Sequence, residues 1–138
     1  MALGRRVSKD VAERYAADER LAATYRERLA AAAEAESALR AAETEGRPAE
    51  ELRALSVKFD KALTEVLLAA EAAERVAMGP RVYVSDGADA KARRAAEIAR
   101  REAKAKPAVR PWTDEVDRLR TAREAHRLGF RTRPGVAA

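Results

Sequence analysis

An all-α fold is what this sequence predicts, and three observations carry the prediction. Alanine, glutamate, arginine and leucine, strong helix formers, dominate the 138 residues. Apolar residues recur at helical spacing over two long stretches, and glycine and proline punctuate the ends of those stretches. Only 24 residues are Leu, Ile, Val or Phe, under the roughly one-fifth share below which disorder becomes a fair suspicion. High helix propensity answers that suspicion, yet little remains to build a thick core. The expected architecture is a long antiparallel helical hairpin (8–44 and 48–78, coiled-coil-like). A short extended link, two shorter helices and a basic tail follow. Residues 1–80 then form a hairpin unit for oligomerisation or partner binding, and 81–138 a basic arm with a free tail.

The first helix opens at Ser8, a good N-cap, with Asp10 set against the helix dipole. Val11, Tyr15, Ala22, Tyr25, Leu29, Ala32 and Leu39 make one face. Gly46 falls just past its end, and Pro48 suits the first turn of the second helix. That helix carries a clearer face through Leu52, Leu55, Phe59, Ala62 or Leu63, Val66, Ala69 or Ala70, Ala73 and Val76, and Gly79-Pro80 stops it. At 1.5 Å per residue the hairpin is roughly 45–55 Å long. A fold at residues 46 and 47 sets Asp18 near Arg75 and Glu36 near Lys58. Arg81-Val82-Tyr83-Val84 is expected as an extended connector, with an edge strand that pairs with a partner as the alternative. The third helix covers 88–105 and ends before Pro107. The fourth is capped by Thr113 and terminated by Gly129.

Charge separates the two halves. Residues 1–80 hold 13 basic and 15 acidic side chains, whereas 81–138 hold 15 and 8. The net +5 is therefore a property of the C-terminal half. On a helical wheel of residues 91–104, Arg93, Arg94, Arg100, Arg101 and Lys104 fall with Glu97 within about 120° of arc. Alanines occupy much of the opposite side. Such a stripe suits a phosphate backbone, because neutralised phosphates release condensed counterions and arginine offers a planar fork. Arg118, Arg120, Arg123, Arg127, Arg131 and Arg133 extend the expected nucleic-acid-binding footprint. The bland alternative is a solvated face, with Glu97–Arg101 an ordinary i,i+4 pair.

Several function classes have no support. The chain has no cysteine, so thiolate metal sites and cysteine nucleophiles do not arise. No phosphate-binding glycine loop and no Glu-x-x-His pair occurs. His126 is the only histidine, and on an arginine-rich helix it is expected at the surface rather than in a catalytic role. No cofactor, metal or small-molecule substrate is expected. Asparagine and glutamine are absent, which removes the common bidentate contact to adenine and favours backbone over base recognition. Ile98 is the one large apolar side chain of the third helix, too little for insertion into lipid. The N-terminus lacks the apolar core of a secretory leader, and no stretch nears the ~20 apolar residues of a membrane span.

Trp112, Val57 and Leu68 are the candidate partner-binding residues. Tryptophan is enriched at binding hot spots, though one such residue more often pins a helix to its core. Val57 and Leu68 point away from the main seam of the second helix, so they either cover a later helix or mark a second contact surface. The leading expectation is a non-catalytic assembly or adaptor protein of the cytoplasm whose basic half contacts DNA or RNA. The first alternative is a structural or accessory component of a large particle, of the phage or mobile-element kind, docking through protein. A small enzyme is the second alternative.

Overall fold

The computed structural model describes residues 8–132, with side chains through Phe130. Among these residues there are five α-helices and one 3-10 turn, and no strand. The helices are α1 (Lys9–Ala22), α2 (Tyr25–Thr44), α3 (Ala49–Met78), α4 (Ala90–Lys104) and α5 (Arg110–Thr132).

Ser8 caps α1 as expected, its hydroxyl accepting from the Val11 N–H. The first helix is not continuous, however. At Ala23-Thr24 the Thr24 N–H and its hydroxyl both turn back to the Leu21 carbonyl, at 3.0 and 2.6 Å. Those three-residue bonds tighten the backbone into a turn, and this side-chain competition with the helical ladder is characteristic of threonine. The helix resumes as α2. Gly46, at φ +67, then closes α2 with the Arg47 N–H on the Ala42 carbonyl. That αL termination reverses the chain into α3.

α3 is the central helix, packed by α1, α2 and α5. Its alanines Ala69, Ala70 and Ala72 are fully buried, so neighbouring backbones approach closely. Asp18 meets Arg75 as expected, at 2.8 Å. Glu36 does not meet Lys58. It lies exposed and within 3.7 Å of Arg40, one turn along its own helix, where an i,i+4 cation is always within reach. Two clusters form the core. The larger joins Leu39, Phe59, Leu63, Val66 and Leu67 of the hairpin to Val116 and Leu119 of α5. The smaller gathers Met78, Val82, Ala103 and Val109.

The link after α3 turns before it extends. Gly79 (φ +98) leads into a 3-10 turn at Pro80–Val82, and extended backbone begins at Tyr83. Burial of Val82 beside Met78 pulls the segment inward. α4 starts at Asp89, whose carboxylate accepts from the Ala92 N–H at 2.8 Å. α5 begins four residues earlier than the sequence implies and runs through Gly129. Thr113 is therefore inside its first turn, and the Thr113 hydroxyl donates to Glu74 at 2.7 Å instead of capping. The helix continues through Gly129 to Thr132, and one turn before that glycine His126 still bonds to the Ser56 carbonyl of α3.

Candidate nucleic-acid interface

α4 lies on the molecule by its small side. Ala96 and Ala103 are buried and Ala99 is half-buried, against the smaller cluster that holds Met78 and Val109. Their spacing of three and four turns the opposite flank outward. There Arg93, Arg94, Arg100, Arg101 and Lys104 are all exposed. None of the five makes an ion pair or side-chain hydrogen bond among the described residues. The expected Glu97–Arg101 pair is likewise not closed. Over the twelve residues from 93 to 104 the stripe runs roughly 17 Å.

α5 shows the reverse arrangement. Val116 and Leu119 are nearly inaccessible, and their burial lays the helix against α3. Its arginines then meet carboxylates. Arg127 grips Asp60 with two bonds, at 2.7 and 3.1 Å. Arg120 reaches Glu71 at 2.6 Å, and Arg118 holds Glu115 at 2.8 and 2.7 Å. Arg123 donates to the Thr64 hydroxyl at 3.3 Å. The Arg127 hydrogen bond lowers the Asp60 pKa against the opposing effect of burial, and Arg118 does the same for Glu115. Arg131 is in α5 but its side chain, like all of Arg133, lies outside the described residues.

The inner edge of the stripe borders a cleft of about 410 Å³ between α1, the end of α3 and the link. Arg14, Arg75 and Arg100 line it together with Asp18 and Tyr83. Asp18 is the organising group. Burial opposes its charge, but hydrogen bonds from Arg75 and from the Tyr83 hydroxyl outweigh that and lower its pKa. Arg14 donates to the Val84 carbonyl and pairs with Asp86. Sequence pattern could flag Lys91 and Lys106, exposed at the two ends of the basic run. The hairpin register already sets Arg75 beside Asp18, but the pattern holds no signal for Arg14 in the cleft.

The remaining candidates occupy different surroundings. Trp112 is half-buried and packs edge-on to Tyr25, with ring centroids 4.9 Å apart. Val57 and Leu68 stay exposed, at 60% and 47%. His126 donates from Nε2 to the Ser56 carbonyl at 2.9 Å and packs edge-on to Phe59, a position that joins α5 to α3. No group of His, Asp or Glu among the described residues is arranged to hold a metal ion. No helix among them is long and apolar enough to cross a membrane. Comparison with family models, curated proteins and solved structures returns no match.

Proposed function

We propose that this chain is a non-catalytic helical adaptor that contacts nucleic acid through the phosphate backbone, using the outer face of α4. The supporting observation is the stripe of five exposed cations without internal partners. An arginine already held by a carboxylate must lose that partner before it meets a phosphate, and an unpaired one need not. The interface thus narrows to Arg93, Arg94, Arg100, Arg101 and Lys104, with Arg100 extending it into the cleft. Arg120, Arg123 and Arg127 of α5 support the face by holding their helix to α3. With no Asn or Gln in the sequence, contact is to backbone and shape, and affinity depends steeply on salt.

Fluorescence anisotropy with random-sequence duplex DNA and single-stranded RNA, at about 50 and 200 mM salt, tests this. Full engagement of the five cations predicts a log–log salt slope of about −4 to −5 on duplex. Replacing Arg93, Arg94, Arg100 and Arg101 with alanine abolishes most binding and leaves the thermal midpoint near that of the wild type. Absence of binding at the lower salt refutes the proposal.

A second reading rests on Ile98, which is 48% exposed beside Arg94 and Arg101 at the stripe's outer edge. An aliphatic side chain among arginines suits an acidic protein surface better than a phosphate. Under that reading the chain is an accessory component of a larger particle, and Ile98→Asp rather than the arginine variant abolishes its incorporation.

A further inference from the structure

The outer strip of α3 has a pattern that the α4 reading does not use. Val57, Lys61, Glu65 and Leu68 recur at four, four and three residues, so they share one face. All four are exposed. Val57 and Leu68 are two of only four exposed large hydrophobics among the described residues. Lys61 and the Glu65 carboxylate make no ion pair among the described residues, although they stand one turn apart. Lysine preceding glutamate is the poorer i,i+4 order, which leaves both charges available.

Beside Val57, α3 and α5 leave an open cavity of about 250 Å³. Its lining includes Val57, Lys61, His126 and Phe130, and its accessible wall is largely apolar. The same face therefore carries a hole at one end and an unfilled leucine, Leu68, at the other. They are separated by roughly 16 Å along the helix.

We infer that a second copy of this chain docks here, α3 antiparallel to α3, about a two-fold axis near residues 62 and 63. Antiparallel pairing about that axis sets Leu68 of each copy against Val57 and the cavity of the other. It also sets each Lys61 against the Glu65 across the axis. The contact is isologous: each protomer gives one knob and one hole, so both are filled at once and the assembly closes as a dimer. Aliphatic anchors in a pocket, bracketed by two symmetric ion pairs, give the contact both its affinity and its register. Three turns of one helix bury less than the roughly 800 Å² per partner of a standard interface, so the dimer is concentration-dependent. This inference is independent of nucleic-acid binding, since no residue of α4 takes part.

Sedimentation velocity on the full chain, from about 1 µM to about 500 µM, is the test. The expected result is a rise from the 15.1 kDa monomer toward twice that mass. Leu68→Asp holds the chain monomeric at every concentration. Lys61→Glu and Glu65→Lys each weaken the dimer at least tenfold, because like charges then meet across the axis. An equimolar mixture of those two variants recovers it, because each places its charges opposite the complementary ones. All four substituted or partnered positions are exposed, and circular dichroism verifies that each variant keeps its helices. A wild type that stays monomeric throughout, a dimer indifferent to Leu68→Asp, a mixture that stays dissociated, or growth beyond the dimer overturns the inference.

Discussion

α4 and α5 each carry six lysine or arginine residues, yet the two sets meet different fates. In α5 three of the arginines close onto Asp60, Glu71 and Glu115, and Arg123 onto the Thr64 hydroxyl. In α4 the cations stand in solvent without partners among the described residues. The difference lies in what each helix buries. α5 has Trp112, Val116 and Leu119 to seat it on the acidic flank of α3, and the long side chains beside them fall within reach of carboxylates. α4 offers only alanines inward, so it rests at the end of the bundle with its cationic face turned away. Cationic content alone does not make a binding surface. A surface forms where packing leaves the cations uncompensated.

The largest expected effect is on the apolar contact that distinguishes the two helices. Leu119→Ala, at a site 1% exposed, costs about 2–5 kcal/mol of unfolding free energy. Ile98→Ala on α4, half-exposed, stays within about 0.5 kcal/mol. Urea unfolding followed by circular dichroism measures both, and equal costs would break the comparison. Asp18→Ala comes next. It strands Arg75 and Tyr83 in a part-buried site and costs about 2 kcal/mol, a figure discounted for the one-third exposure of Arg75. Asp60→Asn, which frees the more exposed Arg127, costs less than this. Glu97→Ala in α4 removes no partner and leaves the melting temperature unchanged.

Titration sharpens the same contrast. Asp18, Asp60 and Glu115 have folded-state pKa values lowered from the ordinary carboxylate values. The stability they contribute is present above the unfolded-state pKa, about 4, and is lost as pH falls through the folded values. Thermal midpoints should therefore hold from about pH 5 to 8 and drop below about pH 4, less steeply in Asp18→Asn. Tyr25 moves the other way. Burial and its hydrogen bond to Glu115 push its pKa up to about 12, so its contribution is full below about pH 10 and is lost as pH rises through 12. The smallest effect concerns the end of α5. A methyl group at Gly129 meets no atom within 4 Å, so Gly129→Ala stabilises the chain by up to about 1 kcal/mol through helix propensity. A loss of stability there would mean that the helix does not continue through this position.

Much of this was legible from local pattern. Ser8 as a cap, Gly46 as a stop, the α3 face and the 120° stripe on α4 depend only on a residue and its neighbours within a turn or two. Asp18–Arg75 was also legible, because a hairpin of known turning point fixes which residues face one another. The break at Thr24 is a local feature, its hydroxyl turning back to the Leu21 carbonyl, whereas the role of Thr113 depends on a partner distant in sequence. Thr113 looks like a cap until Glu74 stands 2.7 Å away, and Gly129 looks like a terminator although the helix runs through it to Thr132. Glu36 failed in the opposite sense, since a local cation took the place of the distant one.

By itself, then, the sequence determined the helical class, most helix ends and the one-sided charge of α4, since periodicity and capping are short-range properties of the chain. Only the tertiary structure decided which arginines are spent on Asp60, Glu71 and Thr64 and which remain free. The physical reason is that an ion pair needs two groups within a few ångströms. For α5 and α3 that proximity is created by the burial of Val116 and Leu119, about fifty residues along the chain from the carboxylates they bring within reach.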